Sequence, residues 1–389
     1  MVSSSEVLSD RAIDILAKLV AFDTTSRRSN LELIQWVEQY LAHLDVPTRR
    51  VPNADGTKSN LMATIGPAIA GGVVLSGHTD VVPVDGQPWN SEPFDLAERD
   101  GRLYGRGTCD MKAFIALCLA GVPMFRHNRR PVHIALSYDE EVGCLGAPSM
   151  IARIAREVPS PRCAIVGEPT GMKPMSRHKG ISAYRVTVTG HEAHSSLTHL
   201  GLSANMVAIK LLHALDQLAE QFKARADPGS PFSPPGATLT VGRIDGGTAI
   251  NILARSCTFV FDLRAPAGLD VETALTGFFA LAAQLDTEAS AAFPGAGVTV
   301  EKLSDTPPLD AEQNGEAEQL VRQLTGYNLP AEVASYAAEG GQFQRAGFST
   351  ILFGPGSIEQ AHKADEFIAR DQIEQYAAFL LKLSGSLSD

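Results

Sequence analysis

Cysteine is scarce in this 389-residue chain, and it is unpaired by pattern. The five cysteines, Cys109, Cys118, Cys144, Cys163 and Cys257, are odd in number and form no C-x-x-C. That excludes a disulfide framework and a cysteine-built zinc knuckle, and it suits a reducing, cytoplasmic setting. Positive charge is also short. Against 44 Asp and Glu stand 33 Lys and Arg, for a net charge of -11. This excludes a nucleic-acid partner, because phosphate contacts need clustered Lys and Arg, and the basic run Arg126–Arg130 reads as a solvated helix end. No apolar run reaches the ~20 residues of a membrane span, so no membrane association is expected. Residues 1–10 are polar and acidic and lack the basic start and apolar centre of a signal peptide. There is no internal repeat and no low-complexity tract. The remainder, 44% hydrophobic and 20% charged, is the composition of a globular protein, and the length suggests two domains at roughly 150 residues each.

The apolar pattern changes along the chain. Ser9 is positioned to cap a helix with the face Ile13, Leu16, Leu19 and Val20, and Ile34, Val37, Leu41 and Leu44 form a second stripe. Short apolar runs at Val73–Leu75, Val132–Leu136, Cys163–Val166 and Ile351–Phe353 read as buried strands. Helical stretches such as Met111–His127, which Pro123 shortens or bends, and Glu316–Thr325 separate them. This predicts an α/β domain with a mostly parallel sheet. From about His178 to Leu303 the pattern alternates instead. Strands at Ser182–Thr189, Thr238–Ile244, Ser256–Leu263 and Val298–Leu303, with helices at Ser203–Gln221 and Val271–Leu285, follow the β-α-β-β-α-β order of a ferredoxin-like unit. The expected organisation is a catalytic domain over 1–177 and 304–389 with an α+β domain, 178–303, inserted as a lid and dimerisation module.

Acids and imidazoles follow the four buried strands. His78 comes after the first, Glu140-Glu141 after the second, Glu168 after the third and His362 after the fourth. In open α/β sheets ligands gather at the carboxyl ends of strands. Imidazole and carboxylate without thiolate suit Zn²⁺, Co²⁺ or Mn²⁺. Asp110, at the end of the glycine-rich turn Gly105-Arg106-Gly107-Thr108-Cys109-Asp110, can bridge two ions with its two oxygens, a geometry that typically holds them ~3.5–4 Å apart. His78 and Glu168 then complete one ion, and Glu141 and His362 the other. Adjacent residues of an extended chain point oppositely, so Glu141 can bind metal while Glu140 faces the water and can act as general base and acid. Asp80 can accept the other N–H of His78 and fix its tautomer. Cys109 and Cys144 read as small packing residues. His191, His199 and His213 read as ordinary surface or loop histidines.

The segments Gly77-His78-Thr79-Asp80-Val81-Val82, Gly105–Lys112, Asp139-Glu140-Glu141 and Gly167-Glu168-Pro169 resemble those of the dinuclear-zinc amidohydrolases and peptidases, over nearly the whole chain. The resemblance implies a zinc-exopeptidase-like catalytic domain holding two divalent ions per subunit, Zn²⁺ or Co²⁺. It implies His78, Asp110 and Glu168 on one ion and Asp110, Glu141 and His362 on the other. It also implies Glu140 as general base and acid, and a cis peptide between Asp110 and Met111. In the inserted domain it implies that His194, in Gly190-His191-Glu192-Ala193-His194-Ser195, reaches the site from the partner subunit of a homodimer and steadies the oxyanion. Asn251 and Arg264 match positions that bind the substrate carboxylate; an Arg there has the planar fork for the task, although pairing with Asp262 is the plainer role. Ala113 and Ala254 depart from the family's usual Gly and Pro and touch only local turns.

Within the family, the stretch Gly354–Glu366, the segment Ser137–Cys144 and Cys109 look most like acetylornithine deacetylases. That implies hydrolysis of N2-acetyl-L-ornithine to acetate and L-ornithine, in arginine biosynthesis, by a metal-activated water. Another N-acyl amino acid, succinyl-diaminopimelate or a dipeptide is the alternative substrate. A non-catalytic binding or dimerisation protein on the same fold would have lost a ligand or the base, and all of them are present here.

Overall fold

The computed structural model describes residues 4–388. The described chain divides into two units. The first comprises residues 4–178, 309–333 and 338–388; the second comprises Lys179–Pro308 with Ala334–Ala337.

The first unit is built on an eight-stranded sheet in the order Thr48–Pro52, Ser59–Ile65, Val132–Ser137, Val73–His78, Cys163–Val166, Thr350–Leu352, Met175–His178, Glu332–Ala334. The four strands Val132–Ser137, Val73–His78, Cys163–Val166 and Thr350–Leu352 are parallel, and antiparallel neighbours flank them. Every residue of these four strands is buried, as expected of a parallel sheet covered on both faces. The core joins Leu75, Ile134 and Ile165 of the sheet to Leu16, Leu117 and Leu380 of the packed helices. His78 is the last residue of its strand. The carboxylates at 140, 141 and 168 follow the ends of the two adjacent strands.

Several local expectations change. The first helix spans Ser4–Val20, so Ser9 lies inside it and is not a cap; its Oγ donates to the Ser5 carbonyl at 2.8 Å. The helix expected over 111–127 runs Ala113–Phe125. Ahead of it the turn Thr108–Lys112 leaves helical geometry at Asp110 and Met111, which are joined by a cis peptide. Pro123 sits within this helix and does not end it. A proline removes the donor that would reach the carbonyl four residues back; here the Tyr40 hydroxyl donates to that carbonyl, Leu119, at 3.2 Å. The segment Thr108–Phe125 is apolar enough by composition to cross a membrane, and that composition is explained by its place in the middle of the core.

The second unit carries a four-stranded antiparallel sheet in the order Thr238–Gly246, Ser256–Ala265, Gly180–Thr189, Gly297–Thr306. Helices Ala204–Arg225 and Val271–Ala292 complete the β-α-β-β-α-β sequence. Val186, Phe259 and Phe261 pack with Leu211, Leu215, Leu275 and Phe278 in a core of its own. The last strand runs three residues past Leu303, and a register shift between Lys302 and Ser304 accounts for the difference. A bulge breaks the alternation by which a strand is read from sequence.

Candidate metal centre

Asp110 is placed by a residue distant in sequence. Glu366, 1% exposed, accepts the backbone N–H groups of Cys109 (2.9 Å) and Asp110 (3.0 Å) on Oε1. Its Oε2 accepts the Gly107 N–H (3.0 Å) and Arg106 Nη1 (2.6 Å). Arg106 is itself fully buried and its Nη2 donates to Gln87 Oε1 at 2.6 Å. Burial raises the Glu366 carboxyl, and the guanidinium and N–H groups pull it back. Gln87 in turn donates Nε2 to the His362 carbonyl at 3.0 Å. One lattice thus holds both Asp110 and the backbone of His362, which stands at φ +64°. Sequence reading missed Glu366, Arg106 and Gln87. A buried carboxylate and an exposed one look alike in a sequence; the only signal was that Arg106 and Glu366 stand inside the two motifs already singled out.

His78 and the Glu140-Glu141 turn share a different anchor. His78 Nδ1 lies 2.9 Å from the Asp80 backbone carbonyl and 3.7 Å from its carboxylate. The carbonyl, not the expected carboxylate, therefore takes the ring N–H and fixes the tautomer, which leaves Nε2 for the site. The Asp80 carboxylate is occupied otherwise. It accepts the N–H groups of Glu140 (3.1 Å) and Glu141 (3.3 Å) and the Ser26 hydroxyl (2.7 Å). These two glutamates are not in extended chain, as the sequence suggested. They sit in a turn entered through Asp139 at φ +57°, and the Asp80 clamp sets their directions. Glu168 is 4% exposed and follows Gly167, where a Cβ would lie 2.0 Å from the Phe114 ring; only glycine lets the chain pass.

Four of the five expected ligands converge by direct contact. His78 Nε2 is 2.9 Å from Asp110 Oδ1. His362 Nε2 is 3.3 Å from Asp110 Oδ2 and 3.0 Å from Glu141 Oε2. Ligand atoms of His78, Asp110 and Glu141 all lie within 4.8 Å of one another. Glu168 belongs by its field: burial first, then the charge of Asp110, pushes its carboxyl well up. Burial likewise raises Glu140 well above the usual range and Glu141 to about 7. Hydrogen bonds to Asp110 and Glu141 raise His362 to about 10. Glu141 Oε1 and Glu168 Oε1 are buried without a hydrogen-bond partner. Four crowded carboxylates, two of them with an orphaned oxygen, fit divalent cations, whose charge inverts the penalty.

The sequence profile of peptidase family M20/M25/M40 matches residues 74–385. The chain belongs to this family. It is 33% identical over 368 residues to an acetylornithine deacetylase of Pasteurella multocida, covering 92% of this chain and 91% of that one. It is 34% identical over 379 residues to one of Edwardsiella ictaluri, covering 96% and 95%. Among solved structures it resembles the Bacillus subtilis YXEP protein, described as a dinuclear metal-binding peptidase of the M20 family, with a TM-score of 0.60 at 16% identity over 98% of this chain and 99% of that one. As an M20 protein the chain is a hydrolase of amide bonds, and His78, Asp110 and Glu141 are grouped so that they could hold a metal ion.

The M20 residues expected in the inserted domain lie in the second unit. His194 is exposed, its Nδ1 is 2.8 Å from Ser196 Oγ, and it bridges to Ile252. The Ser195 N–H donates to the Asn251 carbonyl at 3.0 Å. His194 and Asn251 are therefore neighbours on two adjoining loops. Arg264 is the penultimate residue of the strand Ser256–Ala265, with its Nε 3.5 Å from Asp262 Oδ1, the plainer pairing foreseen for it. Cys109 and Cys144 are buried. Sequence reading also passed over Glu339, 1% exposed, whose Oε2 accepts from Ser76 Oγ at 3.2 Å, two residues before His78.

Proposed function

We propose that this protein hydrolyses N2-acetyl-L-ornithine to acetate and L-ornithine, as a step in making arginine. The observation that carries the hydrolytic reading is the convergence of His78, Asp110, Glu141 and His362 beside Glu140 and Glu168. The ornithine moiety is supported by the deacetylases that share about a third of its residues over nine-tenths of its length.

His78, Asp110 and Glu168 would hold one divalent ion, and Asp110, Glu141 and His362 the other; Zn²⁺ or Co²⁺ suits this donor set. Such ions, when bound, acidify water and polarise an amide carbonyl. The protein's own groups do the rest. Glu140, raised by burial, takes the proton of the attacking water and returns it to the leaving nitrogen, and such transfers contribute typically 10²–10⁴-fold. His194, delivered by the partner subunit of a homodimer, steadies the oxyanion, an effect of about 2.7–4 kcal/mol in comparable sites. Asn251 and Arg264 bind the substrate carboxylate. The inserted domain, residues 178–303, acts as lid and dimerisation module. Five buried cysteines that form no disulfide suit a reducing, cytoplasmic setting.

A panel of N-acetyl and N-succinyl amino acids and dipeptides, with added zinc or cobalt, tests the substrate. Acetylornithine is expected among the best; a clear preference for succinyl-diaminopimelate or a dipeptide would move the assignment elsewhere in the family. Glu140→Gln is expected to keep two ions per subunit by metal analysis while kcat falls by about 10³-fold. Near-normal turnover would remove Glu140 from the mechanism.

A further inference from the structure

Cys144 occupies a position that favours glycine. Its φ is +54°, beside Gly143 at +115°, in the left-handed region that L side chains rarely adopt. The residue is nevertheless a cysteine, 2% exposed. Its Sγ lies 3.3 Å from Glu140 Oε1, so the thiol donates to the carboxylate. The turn is closed around this contact. The N–H groups of Gly143 and Cys144 donate to the Glu140 carbonyl at 2.9 and 2.8 Å, and the buried Gln342 donates Nε2 to the Cys144 carbonyl at 2.9 Å. Among the described residues no other side chain donates to the Glu140 carboxylate.

We infer that Cys144 is a positioning residue for the general base. The thiol holds Oε1 and turns Oε2 toward the attacking water, while Gln342 fixes the turn so that Sγ points inward. The inference rests on Glu140 acting as the base. It assigns a purpose to an unfavourable backbone conformation, and such outliers gather at functional sites. A glycine in the same place would leave the carboxylate free to rotate, and small misplacements of a catalytic group cost large factors in rate.

Three variants separate aiming from space-filling. Cys144→Gly relieves the backbone and removes the donor. Cys144→Ala removes the donor alone. Cys144→Ser keeps a donor at the same place. With saturating zinc and the best substrate of the panel, the Gly and Ala variants are expected to keep two ions per subunit and KM within about twofold while kcat drops about tenfold. The Ser variant is expected to recover most of that loss. Wild-type kcat in the Gly or Ala variant, or a Ser variant as slow as the Ala variant, overturns the inference. If the Gly variant does not fold, the contrast between Ser and Ala decides. Glu140→Gln, measured alongside, keeps the two questions apart. Full activity there defeats the base assignment itself, whereas its loss together with an unaffected Cys144→Ala defeats only the positioning role.

Discussion

At the scale of single residues, a buried charge is tolerated only when its partners are complete. Glu366 meets this condition with Arg106 and three backbone N–H groups. A glutamine there would turn an NH2 group toward donors. Glu366→Gln is therefore expected to destabilise the fold by about 3–5 kcal/mol, the usual result of leaving a buried guanidinium unpaired. It should also loosen the metal that Asp110 is proposed to bridge, read as release of added zinc at lower chelator concentration. A second buried residue sets an acid limit on stability. His133 is 2% exposed, its Nδ1 is 3.0 Å from Thr64 Oγ1, and its Nε2 has no partner. Burial lowers its pKa from 6.5 to about 4. Above pH 6.5 both folded and unfolded chains hold it neutral. As pH falls from 6.5 toward 4 the unfolded chain binds the proton first, so stability is lost over that window. The loss between pH 7 and pH 5 is about 2 kcal/mol at 1.36 kcal/mol per unit. Urea midpoints at the two pH values should show that much less acid sensitivity in His133→Gln.

At the scale of elements, the helix Ala113–Phe125 shows one element completing another. Pro123 removes a donor, and Tyr40 supplies one to the Leu119 carbonyl. Tyr40→Phe is expected to cost about 1 kcal/mol. In a Pro123→Ala background the new N–H takes over the carbonyl, so the same change should cost close to nothing; a double-mutant cycle by thermal melting reads the coupling. The existence and type of these elements were legible from sequence because their apolar periods are strong. The strand Cys163–Val166 and the helix Glu316–Thr325 stand where the pattern put them. What was not legible depends on partners far along the chain. Ser9 looks like a cap until Leu8 joins the buried face. The Asp80 carboxylate looks like a histidine partner until the Glu140 and Glu141 amides are known to reach it. The proposed ligands were read from residue type and position after strands, without the distances that now relate His78, Asp110, Glu141 and His362.

At the scale of the whole molecule, two cores divide the labour. The chain leaves the first unit at His178 and returns at Leu309, and these two residues exchange backbone hydrogen bonds at 3.1 and 3.2 Å. A chain in which a short turn replaces residues 179–308 should therefore fold cooperatively and still take up zinc. It should lack turnover, because the roles proposed for His194, Asn251 and Arg264 go with the removed residues. Calorimetry, metal analysis and the hydrolysis assay on one sample check all three.

The reach of Glu366 across 256 residues to Asp110 has a consequence for how the protein is made. During synthesis His78, Asp110, Glu141 and Glu168 emerge long before the segment that shapes their loop and supplies His362. Until about 366 residues have left the ribosome, the turn at 107–110 lacks the Glu366 carboxylate that accepts its N–H groups, and Asp110 lacks that anchor. The proposed metal site is thus complete only at the end of translation, and a chain truncated before residue 362 is expected to retain less metal by metal analysis.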